Sequence, residues 1–191
     1  MSMTTTSGHS IAAIAQEISV CLSKVRAEDV QSAVEALESA PRVFCAGAGR
    51  SALGVRGFAM RLMHLGKAVH VVGDTTTPGI GAGDLLLVGS GSGRTAGLLA
   101  SAQKAKDLGA SVLLITIDPQ SPIGHLADLI VTIPAPSPKA AGGGGTVATI
   151  QPMGSLFEQS LFVLLDAIVV LLMQRSKISS EQMFARHANL E

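Results

Sequence analysis

Apolar residues at the start of the chain recur at helical spacing. Ile11, Ile14, Ala15, Ile18, Cys21, Leu22 and Val25 fall on one helix face, and Val30, Ala33, Val34 and Leu37 repeat the pattern. The spacing predicts one long or two short helices that end before Pro41. The texture then changes to continuous apolar runs at 42–46, 68–72, 85–89, 112–117 and 129–133. Runs that do not alternate predict strands covered on both faces, as in a parallel sheet. Helices are predicted over 52–65 and 95–108, with a short helix or turn after Pro122. Residues 155–174 read as a strong helix, apolar nearly all round beyond Leu161. One face cannot bury such a helix, so subunit contact is its expected sink. The reading is one domain over 1–191, with N-terminal helices at 8–39, an α/β core at 40–134 and C-terminal helices at 153–187.

One loop occurs twice. Residues 43–51 read VFCAGAGRS and residues 87–95 read LVGSGSGRT. Each is an apolar run ending in glycines, an arginine and a hydroxyl residue before a predicted helix. Free backbone N–H groups and the positive helix end then point at one spot, which is an anion site. The candidates are Gly49, Arg50 and Ser51 in the first loop, and Ser90, Gly91, Ser92, Gly93, Arg94 and Thr95 in the second. Hydroxyls around a helix start suit a terminal phosphate. The plain alternative for SGSGRT is a tight turn with a capped helix, and either arginine alone can be a solvated charge; Arg50, next to Ser51 at the mouth of the first loop, is the better ligand candidate of the two. GAGRSA at 47–52 also matches the outline of a dinucleotide fingerprint, with Asp74 downstream. The hydroxyls of the second loop, and the little chain left after Ile133 for a substrate domain, count against it.

Composition narrows the classes. Lys plus Arg and Asp plus Glu both total 14, so the chain is neutral and has no electrostatic footprint for nucleic acid. With 47% hydrophobic residues, no Trp and no Tyr, packing must rest on aliphatic side chains. The apolar run 161–173 is interrupted by Asp166 and is shorter than the roughly 20 residues of a membrane span. No membrane association is expected, and the polar N-terminus is no secretory signal. Cys21 and Cys45 show no CxxC pairing and read as buried thiols in a reducing cytoplasm. The five histidines have no metal-ligand spacing, so neither metal nor cofactor is expected.

Three further features carry two readings each. Ser155-x-x-Glu158 is a capping box by spacing, and Glu158 serves as a general base if that helix start faces the sheet edge. His187 is an exposed tail residue by position, though Phe184 and Leu190 could dock the tail on a neighbour. The 74–78 loop, DTTTP, is a Pro-limited connection or a polar rim for a sugar. Residues 134–151, with three prolines and four consecutive glycines, read as a mobile surface loop, either a connector or a lid.

GAGRS at 47–51, FAMRLMHLG at 58–66, GDTTTP at 73–78, SGSGRT at 90–95, QPMGSLFEQ at 151–159 and FARHANLE at 184–191 together resemble the SIS (sugar isomerase) domain family. SGSGRT alone would say no more than that. The last two stretches resemble the members that interconvert 3-hexulose 6-phosphate and fructose 6-phosphate in formaldehyde fixation. The resemblance implies a three-layer αβα sandwich with a five-stranded parallel sheet, flavodoxin-like, and a homo-oligomer, a tetramer before a dimer. It implies that Ser51 and residues 90–95 hold the substrate phosphate and that Glu158 accepts the proton. His187 would act as acid or shuttle in a neighbouring subunit's site. The chain departs most from the family pattern at the 140–149 glycine insert. The competing functions are a sugar-phosphate sensor, which needs the loops but not Glu158 or His187, and a small NAD-binding module built on GAGRSA.

Overall fold

A computed structural model describes residues 7–136 and 147–190. The paired N-terminal periodicity resolves into two helices, α1 (Ser7–Leu22) and α2 (Ala27–Ser39). Ala33, Val34 and Leu37 form the buried stripe of α2, and the chain turns extended at Ala40 ahead of Pro41. The core alternates β1 (Arg42–Gly47), α3 (Gly49–His64), β2 (Ala68–Val71), β3 (Leu85–Gly89), α4 (Ala96–Asp107), β4 (Ser111–Thr116) and β5 (Leu129–Thr132). Two helices close the chain, α5 (Ser155–Ser176) and α6 (Ser180–Phe184). The segment after Pro122 is a turn, tied by His125 N–H to Ser121 O at 3.0 Å and Ala127 N–H to Ile123 O at 3.0 Å.

All five strands are parallel, in the order β2-β1-β3-β4-β5. Strand residues alternate between two cores. Val43, Cys45, Leu85, Leu87, Leu113, Ile115 and Val131 face one core, built with α1, α2, α3 and α5. Phe44, Ala46, Leu86, Val88, Val112 and Leu114 face the other, beside α4 and Ile123. Both faces are covered, which is why these strands read as unbroken apolar runs. Gly47 and Gly89 pair across β1 and β3, so the two glycine-rich loops leave the sheet at one level. The chain after β1 turns toward β2 and the chain after β3 toward β4. The crevice between them is the switch point where α/β sheets bind ligands.

Two expectations change at the C-terminal end. The apolar run 161–173 lies inside a 22-residue helix, α5, which is long and apolar enough to cross a bilayer. It lies half buried inside the protein instead: Phe162 packs on α3 at 3.5 Å from the position a Gly54 side chain would take and 3.2 Å from that of Gly57. Its outer face leaves Phe162, Val163 and Val170 exposed. The 134–151 stretch is anchored at both described ends. Ala135 and Val147 are in the core, and residues 149–151 are hydrogen-bonded to Glu17 of α1. Gly142–Gly145 lie outside the described residues.

Candidate active site

The two loops form opposite walls of one cleft of about 440 Å³. Residues 48–51 line one side and residues 89–92 with Thr95 the other. Leu98, Ile117, Met153 and Phe157 add apolar surface, and Gly154 and Glu158 close it from α5. Helix α3 begins at Gly49, three residues before the predicted start. Gly49 has φ +56°, a turn that glycine makes without strain, and it puts Arg50 and Ser51 in the first helical turn. That turn's amides have no intrahelical acceptor, and residues 49–51 line the cleft.

The second loop is pinned by its outer atoms. Ser90 N–H donates to Ile115 O at 3.0 Å, Ile117 N–H to Gly91 O at 3.0 Å, and the Thr116 hydroxyl to the same carbonyl at 3.1 Å. Gly93 has φ +58°, and a Cβ there would stand 1.9 Å from Ser121 Oγ, so glycine is required. Thr95 is the N-cap of α4, yet its side chain makes no capping bond, which leaves the hydroxyl for a ligand. Ser90 is buried and lines the cleft with Ser92. Hydroxyls grouped beside a helix N-terminus have the chemistry of an anion site.

Arg94 and Gly93 do not line the cleft. The Arg94 guanidinium pairs with Asp118 at 3.1 Å, outside the cleft lining. Arg50 does face the cleft, and its Nε donates to Glu158 Oε2. Of the two arginines, Arg50 is the one beside the candidate base.

The capping-box reading of Ser155 and Glu158 is overturned. Helix α5 is capped by Gly154, with no side-chain cap, so Ser155 is the first helical residue and Glu158 lies one position too far to reach back. Glu158 instead points across the cleft, 21% exposed, to Arg50. The capping box exists one helix later: Ser179 accepts from Gln182 N–H, and the Gln182 side chain accepts from Ser179 N–H at 2.8 Å.

His187 sits elsewhere. Its ring stacks on His64, centroids 5.4 Å apart, and Phe184 lies against it at 5.8 Å. Arg186 docks the tail by donating to His64 O at 3.0 Å. His64 is buried at the far end of α3, and burial first, then Arg61 and His187, hold it below the ordinary histidine value. Arg50 and His64 are separated by about 20 Å of helix, at 1.5 Å per residue, so Glu158 and His187 of one chain do not share a site. The 74–78 loop is also off the cleft. Asp74 pairs with Arg56 at 2.9 Å, and the Thr77 hydroxyl donates to Val71 O at 2.6 Å. Among the described residues no group of three or more His, Cys, Asp or Glu side chains could hold a metal.

Sequence reasoning missed the Arg50–Glu158 pair and the wall made by Met153 and Phe157. The signal for the wall was the Gln-Pro-Met-Gly run at 151–154, a turn immediately before an apolar helix.

The SIS domain model matches residues 36–163. The chain is similar to the 3-hexulose-6-phosphate isomerase of Bacillus subtilis, 45% identical over 181 residues, covering 95% of this chain and 97% of that one. It is as similar to the 3-hexulose-6-phosphate isomerase of Mycobacterium gastri, 45% identical over 183 residues, with 96% and 90% covered. A crystal structure of a Methanococcus jannaschii protein, inferred to be a 3-hexulose-6-phosphate isomerase, superposes with a TM-score of 0.82 at 31% identity, covering 95% of this chain and 98% of that one. The chain therefore belongs to the SIS domain family, where it groups with the 3-hexulose-6-phosphate isomerases.

Proposed function

We propose that this protein is an isomerase that interconverts 3-hexulose 6-phosphate and fructose 6-phosphate through an enediol. The observation that carries the reading is one cleft holding both a hydroxyl-rich phosphate cradle and the Glu158 carboxylate. The relatives of that name span nearly the whole chain and support it. In this reading Ser51, Ser90, Ser92 and Thr95, with the loop amides, hold the phosphate. Glu158 removes the proton from C2, leaving an enediol across C2 and C3, and returns a proton to C3. The O2 proton leaves and O3 gains one, so the carbonyl moves from C3 to C2 with no net redox change. One carboxylate serves both transfers on one face, and a second group must serve the oxygens. With O6 esterified, O6 cannot close a five-membered ring onto C3, so the 3-ketose reacts in open-chain form.

The oxygen-side group in this proposal is His187 of a neighbouring subunit, since His187 of the same chain lies at the other end of α3. The exposed apolar face of α5 and the exposed Phe184 and Leu190 of the tail suit that contact. The reading extends to a single SIS domain over the whole chain, a homotetramer, a cytoplasmic location and a place in formaldehyde fixation by the ribulose monophosphate route. The test is a coupled assay in which hexulose-phosphate synthase supplies the substrate and fructose 6-phosphate formation is followed. Absence of turnover by the folded, full-length protein refutes the isomerase reading.

A further inference from the structure

The Glu17 carboxylate on α1 is held by three consecutive residues of the segment that leads into α5. Oε2 accepts from the Thr149 hydroxyl at 2.7 Å and from Gln151 Nε2 at 3.0 Å, and Oε1 accepts from Ile150 N–H at 2.8 Å. All three donors are neutral, so this is a latch and not an ion pair. Partial burial would raise the Glu17 carboxyl, but the hydrogen bonds, led by Gln151, hold it below the ordinary glutamate value. Apart from the turn into α5, where Ser155 N–H donates to Pro152 O at 3.2 Å, the hydrogen bonds of 148–153 to other elements among the described residues end on Glu17.

What the latch holds is the wall of the cleft. Gln151 is buried, and Pro152, with its fixed φ, joins it to Met153. Met153 lines the cleft at φ +58°, a conformation a methionine keeps only when its surroundings hold it there. Gly154 follows, lines the cleft and caps α5 without any side-chain bond of its own. Its carbonyl accepts from Glu158 N–H at 3.0 Å. A shift at residue 151 is thus passed through two residues to the start of the helix that carries Glu158.

We infer that Glu17 is a positioning residue for this site: through residues 149–151 it sets the Met153–Gly154 wall and, with it, the stance of Glu158. The inference rests on the reading of Glu158 as the proton-transferring base. Among the described residues Glu17 makes no hydrogen bond to a cleft-lining residue, so it acts only through the segment it holds. The phosphate cradle hangs on β1, β3 and β4 and does not depend on the latch.

The full-length Glu17→Ala and Thr149→Val proteins test this beside wild type, at a temperature where all stay folded. Turnover and KM for 3-hexulose 6-phosphate, affinity for inorganic phosphate and amide hydrogen exchange are measured. Glu17→Ala is expected to lower kcat at least about tenfold, the scale of a small misplacement of reacting groups, with KM and phosphate affinity near wild type. Amides of 150–158 should exchange at least about tenfold faster, while those of 90–95 stay unchanged. A purely structural role would lower the melting temperature and leave kcat untouched. If Glu17→Ala does not fold, Thr149→Val decides, with the same pattern at smaller amplitude. Wild-type kcat in a folded variant, or unchanged exchange over 150–158, overturns the inference. If wild type itself does not turn over the substrate, the functional reading fails, and the exchange pattern still decides whether the latch sets this wall.

Discussion

Replacing Glu158 by glutamine separates chemistry from architecture. The structure gives this side chain no capping duty, so Glu158→Gln removes one ion pair and little else. Its partner Arg50 is 61% exposed, and ion pairs of that exposure contribute roughly 0–1 kcal/mol. At 2–4 °C per kcal/mol for a chain of this size, the melting temperature should fall by about 4 °C at most. Glutamine is nearly isosteric, and the hydroxyls proposed to hold the phosphate lie on other elements, so KM should stay near wild type. Turnover should fall at least about 10²-fold, which is about 2.7 kcal/mol on the barrier and the usual size of an acid–base contribution. The coupled assay gives kcat and KM, and thermal unfolding gives stability. Exchange of the C2 hydrogen of fructose 6-phosphate with solvent deuterium, followed by NMR, reports the proton transfer alone and should vanish with turnover. A folded Glu158→Gln protein with wild-type kcat and exchange would refute the assignment, leaving a sugar-phosphate sensor as the better account of the cleft.

Other expectations follow from the same geometry. Removing the Ser90 and Thr95 hydroxyls together should cost about 1.5–3 kcal/mol each toward a charged ligand; isothermal titration should show phosphate affinity falling at least about 100-fold, and unchanged KM would reject the cradle. Gly93→Ala combines a positive φ with a Cβ 1.9 Å from Ser121 Oγ, so it should destabilise by roughly 2–4 kcal/mol and lower the melting temperature by about 5–15 °C. Asp84 is buried and accepts from Arg42 Nε at 2.9 Å and from Gly81 N–H at 2.7 Å. Arg42 first, against burial and with help from the Gly81 amide, holds its carboxyl below the usual aspartate value. Its stabilisation is therefore complete above the unfolded-state value and is lost as pH falls through the lower folded one. In acid titration followed by circular dichroism, Asp84→Asn should be less stable at neutral pH and show a shallower loss of stability below about pH 4; an equally steep acid limb would count against this pair.

The strands were legible because they are buried on both faces. Such strands need no alternation, and their runs ended within a residue or two of the observed ends of β1 through β5. The two loops were legible because glycine, hydroxyl and helix start occur together in each copy. Their convergence followed once the strands were taken as parallel and their exits as level. The start of α5 at Ser155 was legible, but its cap was not. Ser-x-x-Glu is the spacing of a capping box, but the cap falls one residue earlier, at Gly154, and Glu158 pairs with Arg50, 108 positions away on α3. Local sequence favoured Arg50 over Arg94, for its place beside Ser51 at the loop mouth, but did not show their partners. Each follows a glycine turn, and which one faces the cleft depends on whether a carboxylate, Asp118 or Glu158, waits on the next element. The tail shows the same division. Its family pattern lies in the residues 184–191, but its place against His64 comes from α3 being about 20 Å long and running away from the cleft. Sequence alone determined the strands, the helices and the glycine and hydroxyl types of the two loops, because burial and backbone geometry are local demands on each segment. Tertiary structure decided which charged groups meet, because a side chain's partner is chosen by elements that are distant along the chain and adjacent only after folding.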